Sequence, residues 1–566
     1  MHTLDYPFDS GDILRKQRSI KRHLAQQDGL IEKRIAILSG STIGEISGVL
    51  ELFLLSFGIK PQFYIGQYNR FYEEVLFETQ QLIDFSPDII FIHTSARNLS
   101  DDEISDKLQA VWSKIQKEFA CPVIQNNFEL PNYCFAEECD KTNRLNLKIS
   151  DWAMQSRGFC INDIQYLSAC YGLENWFHEQ DYLMYKYGFS VKAIPLFCFH
   201  VAKLVKSLYG KNQKCLVLDL DNTLWGGVVG EIGASAIEIG PETALGEAYS
   251  NFQRYVKGLH NRGIILAICS KNDEHIAREA FENPNMVLQL DDIAVFCANW
   301  ENKADNIRKI AGMLNILTES IVFIDDNPAE RELVRHALPE VKVPEVNSVV
   351  DFIRYIEDAG YFYTQHVSDE DVKRNEYYKT EFKRAEAIKT FTGYGDYLRS
   401  LQMSSKIRPF DAVSFDRITQ LINKTNQFNL TTKRYSSGEI EEIALHPDFI
   451  SLYATLDDKF GNNGIVSVLI GEVIADALHI RLWVMSCRVF KRELELAIFD
   501  YLVQVCKDRQ LKQLVGYYYK TGKNAYVSGL LDDLGFQKLT DDTWSFSLDG
   551  EYQNKNKYIQ VKRENA

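Results

Sequence analysis

The stretch Lys214-Cys-Leu-Val-Leu-Asp-Leu-Asp-Asn-Thr-Leu-Trp225 decides the fold of this chain. Its apolar run ends in Asp219, and Asp221 and Thr223 follow at steps of two. A short run rich in Leu and Val is typical of a buried strand in a parallel sheet, where ligands lie beyond the carboxyl ends of the strands. Two carboxylates at such an end are costly to bury unless a cation neutralises them. The stretch therefore predicts a magnesium site that handles phosphate.

Later segments predict further groups at the same site. A predicted strand ends in the small hydroxyl of Ser270, and another ends in the paired carboxylates Asp325 and Asp326. Between them, Lys303 begins a predicted helix, where its ammonium and the positive helix terminus would point at one anion. This order of carboxylates, hydroxyl, ammonium and carboxylates resembles the haloacid-dehalogenase (HAD) superfamily.

The HAD resemblance implies a role for each group. It implies that Asp219 attacks phosphorus and forms an aspartyl-phosphate, while Asp221 acts as general acid and base. The implied phosphate-binding residues are Thr223, Ser270 and Lys303. The implied magnesium ligands are Asp219, Asp221 through its backbone carbonyl, Asp325, and Asp326 acting through water. The segment between Thr223 and the first predicted helix is too short for a cap domain, and so is the stretch between Ser270 and Lys303. We therefore expect an open site that admits a bulky or carrier-borne substrate.

A longer match narrows the family. Residues 214–231, with Ile268-Cys-Ser-Lys-Asn272 and Ile324-Asp-Asp-Asn-Pro328, resemble the FkbH-like branch, a phosphatase/acyltransferase group in HAD subfamily IIIC. The resemblance implies an N-terminal SGNH-like domain and a C-terminal GNAT-like domain. It also implies that a phosphoglyceryl unit is taken from 1,3-bisphosphoglycerate, dephosphorylated, and loaded as a glyceryl group onto a carrier-protein thiol. Polyketide or capsular and surface-polysaccharide biosynthesis would use such a product.

Residues 1–205 predict a three-layer α/β domain, because three apolar strands alternate with helical segments. The resemblance implies that this domain has an SGNH or flavodoxin-like fold. Ser39-Gly-Ser41 resembles the nucleophile turn of SGNH-type esterases. Those enzymes also need an Asp-x-x-His pair near the end of the domain, and Asp181-Tyr-Leu-Met lacks the histidine. A serine without a base is not activated. We therefore expect a non-catalytic domain.

Residues 401–566 predict an α+β domain. Strand, loop and helix follow one another in an order that resembles the cofactor-binding core of GNAT acyltransferases. The Arg-x-x-Gly-x-Gly loop of that family is replaced by Arg488-Val-Phe-Lys-Arg-Glu493, so both glycines are missing. Glycine lets backbone N–H groups approach a pyrophosphate, and the single phosphate of a carrier-bound pantetheine suits this loop better than coenzyme A. The candidate acyl-carrier or coenzyme A site comprises Asn426, Asn429, Arg488, Asn524 and Tyr526.

Acyl transfer through an enzyme thioester requires a cysteine. Cys215 lies about 13 Å before Asp219 along the predicted strand and is assigned to the core. Cys269 adjoins Ser270, although strand alternation points it to the opposite face of the sheet. Cys487 follows a predicted strand at the presumed thioester site. Cys487 is the preferred candidate nucleophile and Cys269 the second, with a buried structural cysteine as the alternative for both.

Length, composition and charge limit the number of domains and the kinds of partner that we expect. The 566 residues predict three domains, with the HAD-like one at 206–345 and charged linking helices at 346–400. A net charge of −15 gives no broad basic surface for nucleic acid. The start of the chain resembles no secretory signal, and no apolar run approaches the ~20 residues of a membrane helix. We expect a cytoplasmic protein without membrane insertion.

The sequence thus predicts an α/β enzyme with a capless HAD Rossmann-like domain between an SGNH/flavodoxin-like domain and an α+β GNAT-like domain. Its predicted activity is magnesium-dependent phosphate removal coupled to glyceryl-type transfer onto a carrier protein. The alternatives are a plain phosphatase of small phosphorylated metabolites or sugars, an N-acyltransferase acting on an amino sugar, and a non-enzymatic scaffold. The expected cofactors are Mg²⁺ and either acyl-CoA or carrier-protein phosphopantetheine. The expected partners are a phosphorylated small molecule and an acyl carrier protein.

Overall fold

A computed structural model describes residues 2–27, 29–100, 103–131, 136–364, 369–388 and 391–562, and the chain divides into two compact units. The first unit is Met1–Lys211 with Arg434–Leu445, and the second is Asn212–Lys433 with His446–Ala566. The boundary predicted after residue 205 lies close to the observed one. The predicted HAD-like and GNAT-like regions share one unit. Sequence analysis did not predict that Arg434–Leu445 joins the first unit, where the Ser436 hydroxyl donates to the carbonyl of Ala120 at 3.1 Å.

The first unit is built on a five-stranded parallel sheet in the order β2-β1-β3-β4-β5, with helices packed on it. Its strands are β1 (Ile31–Ser39), β2 (Ile59–Ile65), β3 (Ile89–His93), β4 (Val123–Asn126) and β5 (Phe159–Asn162). Its helices are α1 (Ser10–Leu24), α2 (Gly44–Ser56), α3 (Phe71–Leu76), α4 (Gln80–Phe85), α5 (Ile104–Glu118), α6 (Ala136–Gln155), α7 (Ile164–Tyr171), α8 (Leu173–Trp176), α9 (Glu179–Tyr185) and α10 (Ile194–Leu208).

Strand alternation separates two apolar layers in this unit. Ile90 and Ile92 of β3 pack in one cluster with Leu108 of α5. Phe91, which alternation turns to the other face, contacts Phe197 of α10 with ring centroids 6.2 Å apart. The unit is therefore the predicted three-layer α/β fold.

The second unit begins with a four-stranded parallel sheet in the order β8-β7-β6-β9. Its strands are β6 (Cys215–Leu218), β7 (Ile265–Ser270), β8 (Ile293–Ala298) and β9 (Ile321–Ile324). Its helices are α11 (Val229–Ile232), α12 (Ala244–Asn261), α13 (Glu274–Glu279), α14 (Lys303–Met313) and α15 (Pro328–Ala337). The segment quoted at the outset supplies β6, which is buried because it pairs with β7 on one side and β9 on the other. The fold is the predicted capless HAD-like one.

The glycine-rich segment after Trp225 is held by backbone hydrogen bonds. Gly226 and Glu238 exchange two backbone hydrogen bonds of 3.0 and 2.9 Å, and α11 lies between them. Because this connection to α12 holds only one four-residue helix, it adds no cap domain beside the site.

The linking helices are α16 (Val349–Ala359), α17 (Asp369–Val372), α18 (Arg374–Ile388) and α19 (Tyr394–Ser400). Asp371, Asn375 and Tyr378 are buried, although the sequence predicts charged linking helices here. Asn375 Nδ2 donates to the carbonyls of His260 and Ile264 at 2.7 and 3.3 Å. Gly263 has a φ of +85°, and a Cβ there would lie 1.7 Å from the Asp371 carbonyl oxygen. This close packing against the HAD-like sheet region is what buries α17 and α18.

The rest of the chain forms a mixed eight-stranded sheet in the order β15-β16-β14-β13-β12-β11-β10-β17, which is the predicted α+β domain. Its strands are β10 (Met403–Pro409), β11 (Phe449–Asp458), β12 (Gly461–Ile474), β13 (Ala477–Met485), β14 (Gln513–Tyr517), β15 (Gln537–Lys538), β16 (Thr543–Ser547) and β17 (Ile559–Lys562). The helices are α20 (Phe415–Lys424), α21 (Ser437–Leu445), α22 (Leu494–Asp508) and α23 (Leu530–Asp533), of which α21 belongs to the first unit.

Two neighbouring strands of this sheet diverge. The parallel strands β13 and β14 pair only over Ala477–His479 and Gln513–Val515, and the later part of β13 continues without β14. Asn429 forms a bridge with Val484 near the end of β13.

Among the helices that the structure describes, none combines the length and apolarity required to span a membrane.

A buried carboxyl in the first unit yields a pH prediction. Glu129 is fully buried, and burial raises its pKa to about 7. The folded state therefore retains a proton that the unfolded state releases near pH 4.5, so the free energy of unfolding should fall as the pH rises through this interval. We expect Glu129→Gln to raise the melting temperature at pH 8 and to change it little at pH 4.5. Melting curves of both proteins across this range test the prediction, and an equal shift at all pH values would contradict it.

Candidate active site

Three predicted residues meet at the carboxyl end of the HAD-like sheet. Strands β6 and β9 pair in register, with Leu218 opposite Ile324, so the next residue of each strand emerges at the same edge. These residues are Asp219 and Asp325, and both side chains are buried. Lys303, the first residue of α14, places its Nζ 3.0 Å from Asp219 Oδ1 and 2.5 Å from Asp325 Oδ2.

Burial and charge oppose each other in this cluster. Burial raises the pKa of Asp219 to about 6, although the Lys303 ammonium acts to lower it and the Asp325 carboxylate adds to the increase. The pKa of Asp325 is also raised by burial. Burial lowers the pKa of Lys303, but the two carboxylates more than offset that effect and raise it overall. The ammonium therefore remains protonated between the two carboxyl groups.

Asp326 completes a set of oxygen ligands. Carboxylate oxygens of Asp219, Asp325 and Asp326 all lie within 4.8 Å of one another. Burial raises the pKa of Asp326, and the charge of Asp219 adds to this increase. Three carboxylates share one ammonium here, and a hard divalent cation that prefers oxygen ligands would relieve their repulsion. The residues present therefore fit the predicted magnesium ion.

Asp221 lies beside the cluster, and its side chain is held in another direction. Its Oδ1 accepts hydrogen bonds from Trp225 Nε1 at 2.9 Å and from the Val229 backbone N–H at 3.1 Å. Its Oδ2 accepts one from Asn272 Nδ2 at 2.9 Å. These donors fix the orientation of the carboxyl group that was predicted to be the general acid and base. Asn272 was quoted in the sequence motif, but its contact with Asp221 was not predicted.

The other two predicted phosphate-binding residues differ in their contacts. Ser270 is buried, and its hydrogen bond to Asp219 partly opposes the burial that raises the pKa of that carboxyl. Thr223 is fully buried, and its Oγ1 accepts the backbone N–H of Asp326 at 3.2 Å. This contact gives Thr223 a positioning role for the third carboxylate.

Arg331 is a supporting residue that sequence reasoning missed. It is buried, and its Nη1 donates to the backbone carbonyls of Asp325 and Asp326 at 2.8 Å each. The guanidinium therefore fixes the turn that carries both carboxylates. A sequence signal existed, because an arginine on the first two turns of a helix after paired aspartates can reach back to their carbonyls.

The two candidate nucleophilic cysteines differ in their burial. Cys269 is fully buried with Cys215 in one apolar cluster, and its Sγ donates to the Lys303 carbonyl at 3.7 Å. Burial raises the pKa of the Cys269 thiol, which disfavours the thiolate needed for attack. Its place in the core agrees with the alternation argument. Cys487 is partly exposed in the short helix after β13, and its role as nucleophile stays a prediction.

The predicted acyl-carrier residues do not form one group. Asn524 is buried, its Oδ1 accepts the Thr521 N–H at 2.8 Å, and its Nδ2 donates to the Asn429 carbonyl at 2.9 Å. Asn429 is likewise buried, and its Oδ1 accepts the Thr432 N–H at 2.8 Å. These two asparagines brace loops because their amides are used on backbone groups. Tyr526 is half exposed and stacks on Phe490.

The remaining two candidates, Asn426 and Arg488, line a common cavity. Beyond Arg488, Lys491 and Glu493 have φ values of +62° and +60°. These are the two positions where the GNAT loop pattern has glycine. The backbone therefore keeps a left-handed conformation that glycine adopts without strain, although both residues carry side chains.

The first unit contains a serine–histidine pair that the sequence did not reveal. Ser41 Oγ lies 3.0 Å from Nε2 of His93, at the end of β3. The base was predicted to be missing because only an Asp-x-x-His motif was considered, and that reason is wrong. Both residues are buried, and burial lowers the pKa of His93 to about 3, so its imidazole is neutral.

The hydrogen bonds of Asn126 favour a tautomer of His93 that cannot act as a base toward Ser41. Asn126 Nδ2 donates to the Thr94 carbonyl at 2.9 Å, which identifies it as the amide nitrogen, and to His93 Nδ1 at 2.8 Å. An accepting Nδ1 leaves the proton on Nε2, which then donates to Ser41 Oγ. A general base needs the opposite tautomer, with its orienting partner accepting from Nδ1. This arrangement supports the prediction of a non-catalytic domain.

Comparison with solved structures gives an informative relative. The N-terminal part of the protein BF1531 from Bacteroides fragilis, which contains a phosphatase domain and was solved in complex with Mg, shares 32% sequence identity with this chain. The similarity covers 62% of this chain and 98% of that one, with a TM-score of 0.58. The chain belongs to the family of this protein. The family relationship agrees with the HAD-like fold and the carboxylate cluster.

Two acetyltransferases are similar at a much lower level. They are the ribosomal-protein-S18-alanine N-acetyltransferase of Escherichia coli, with 13% identity over 27% of this chain and 99% of that one, and the PaiA N-acetyltransferase of Thermoplasma acidophilum in complex with coenzyme A, with 14% identity over 25% and 99%. Their TM-scores are 0.22 and 0.20, so no conclusion about this chain is drawn from these similarities. No protein-family model and no curated protein matches the sequence.

The carboxylate cluster predicts specific magnesium binding. We expect Mg²⁺ to raise the melting temperature of the wild-type protein, because a ligand that binds only the folded state stabilises it. Asp326→Asn removes one ligand charge without breaking the contacts of Lys303, and it should reduce this increase. The exposed Asp305→Asn variant on α14 is the control and should respond like wild type. Equal responses of all three proteins in thermal melts would contradict the assignment.

Proposed function

We propose that this chain is a magnesium-dependent phosphohydrolase of the HAD type. The observation that carries the proposal is the buried Asp219–Lys303–Asp325 cluster with Asp326 at its edge. A phosphoryl group is transferred mainly by holding its charged oxygens and presenting an in-line nucleophile. The cluster has both kinds of group, since it combines a carboxylate nucleophile with a protonated ammonium. The Mg complex of the BF1531 relative supports the choice of metal.

Each residue has a defined part in the proposed reaction. Asp219 attacks phosphorus and forms an aspartyl-phosphate, while the phosphorus–oxygen bond to the leaving group breaks. Asp221, oriented by Trp225 and Asn272, donates the proton that the leaving oxygen needs and later takes one from the attacking water. Lys303 and Ser270 stabilise the negative oxygens of the transferred group. Magnesium, when bound by the carboxylates, adds positive charge beside those oxygens.

A finer proposal concerns the second activity. We propose that the chain is FkbH-like and that it transfers a glyceryl-type acyl group onto an acyl carrier protein. The absence of a cap domain between Thr223 and α12 supports a bulky, carrier-borne substrate, and Cys487 is the proposed acceptor thiol. A pantetheine arm would bind with one phosphate, which suits the substituted loop at Lys491 and Glu493.

Cys487 lies far from the proposed phosphatase nucleophile. The cavity it lines includes Lys214, which precedes β6, whereas Asp219 follows β6. Five residue steps along the strand separate Lys214 from Asp219 by about 16 Å. Acyl transfer through Cys487 would therefore be a step separate from phosphate removal. The same distance favours a second candidate function, a plain phosphatase of small phosphorylated metabolites.

Loss of the nucleophile tests the phosphatase. We expect Asp219→Asn to lower magnesium-dependent hydrolysis of p-nitrophenyl phosphate by about a thousandfold or more, because a carboxamide cannot attack phosphorus. The exposed Asp305→Asn variant should keep wild-type turnover. Phosphate release and melting temperature are measured on the same preparations. Residual activity close to wild type in a folded Asp219→Asn protein would exclude the proposed nucleophile.

Intact-protein mass spectrometry tests the acyl transfer. After incubation with Mg²⁺ and 1,3-bisphosphoglycerate, we expect a glyceryl-sized adduct on the wild-type protein and on Cys269→Ala, but not on Cys487→Ala. Cys269→Ala is a matched control because its thiol lies in the core. Phosphate release without an adduct on any protein would leave the plain phosphatase as the function.

A further inference from the structure

The gap between the diverging strands β13 and β14 is filled by a segment of the same chain. The two strands pair only up to His479 and Val515, so the edge of β13 beyond these residues has no partner on β14. Residues 428–430, which follow α20, run antiparallel to this edge, with Asn429 opposite Val484. Backbone groups on a free strand edge need hydrogen-bond partners, and this segment is placed to supply them.

Backbone hydrogen bonds hold the segment on both sides of the gap. On the β13 side, the Leu430 N–H donates to the Trp483 carbonyl at 3.3 Å. On the same side, the Met485 N–H donates to the Phe428 carbonyl at 3.2 Å. On the opposite side, the N–H of Tyr519, two residues beyond β14, donates to the Leu430 carbonyl at 2.9 Å. The segment is therefore a short additional strand between the two strands that diverge.

Side chains fix the same segment. Asn524 Nδ2 donates to the Asn429 carbonyl at 2.9 Å, and both asparagines are fully buried. Phe428 and Leu430 are buried in the apolar core of this sheet together with Trp483. The ring centroids of Phe428 and Trp483 lie 6.1 Å apart. Because burial of two large apolar side chains is favourable, the segment is stabilised in this place.

A gap that holds this segment has no room for a second extended chain. Neighbouring strands of a sheet lie about 4.8 Å apart, so each strand edge accepts one extended partner. The Trp483 carbonyl and the Met485 N–H, which face the gap, are already used by the segment. An extended ligand binds a strand edge by pairing its own amide groups with that edge. Such a ligand would have to displace residues 428–430 and uncover Phe428 and Leu430.

This arrangement bears on the expected coenzyme A. Its pantetheine arm is an extended chain with two amide groups, which is the kind of ligand that could pair with the free edge of β13. The residues present do not fit that pairing, because the edge and the space beside it are taken.

We propose that residues 428–430 are a built-in strand that closes the gap and excludes pantetheine and other extended amide ligands from it. A carrier arm that reaches Cys487 would do so without pairing with the edge of β13. The N-acyltransferase alternative is not favoured, because an acyl-CoA donor would lack this edge. The inference goes beyond the phosphohydrolase activity and does not depend on it.

Hydrogen exchange of the full-length protein tests the built-in strand. We expect the amides of Leu430, Met485 and Tyr519 to be protected when exchange is followed by mass spectrometry with residue-level fragmentation. Asn524→Ala removes one hydrogen bond to the segment and should speed exchange at Leu430 about tenfold. The exposed Asn554→Ala variant is the matched control and should exchange like wild type. Unprotected amides in the wild type, or equal exchange in all three proteins, would overturn the proposal.

A ligand titration needs no variant and therefore does not depend on folding of Asn524→Ala. Acetyl coenzyme A at millimolar concentration is added to the wild-type protein with EDTA, and the same exchange is measured. We expect unchanged exchange at Leu430 and Met485, because a ligand bound elsewhere leaves the segment in the gap. Pantetheine, which lacks the nucleotide and its phosphates, gives the same readout for the arm alone. Faster exchange at Leu430 with either ligand would show that the segment leaves the gap, and the proposed exclusion would be wrong.

Discussion

The buried ammonium of Lys303 between Asp219 and Asp325 is the interaction on which the candidate active site depends. Removing one partner of a buried ion pair leaves a charge without compensation, which is far more destabilising than losing an exposed pair. The pair also requires that β6 and β9 stay in register, because a shift of one residue would turn a carboxylate to the opposite face. Arg331 reinforces this register by holding the carbonyls that follow β9.

The parts of this site that the sequence predicts are those encoded by local pattern. An apolar run followed by Asp219 or Asp325 identifies a strand end, and parallel strands bring such ends together. The contacts of Asn272 with Asp221 and of Thr223 with Asp326 were not predictable in this way, because they depend on where neighbouring loops turn. The burial of Asp371 was not predictable either. The charged residues around it indicate only a linking helix, and its burial follows from the packing of its backbone against Gly263.

In the first unit, a serine and a histidine in contact are not enough to define a catalytic site. The direction of their hydrogen bonds must also fit catalysis. His93 was missed because a base from the end of β3 has no sequence signature near Ser41. Its discovery did not make the serine a nucleophile, since the amide of Asn126 donates where an orienting carboxylate would accept. The expectation of a non-catalytic domain stays a prediction, for which the hydrogen bonds of His93 give a reason that the sequence did not.

Helix α18 also has a consequence for how the second unit unfolds. Near its start, Asn375 donates to carbonyls beside β7, and further along, Arg384 binds Asp458 of the large sheet at 2.8 Å. Both Arg384 and Asp458 are buried. One helix therefore contacts both sheets, which favours their unfolding as a single cooperative unit. Cutting the chain ahead of α18 would expose the apolar surface of the HAD-like region that this helix covers, so the isolated HAD-like sheet should be less stable than the intact unit.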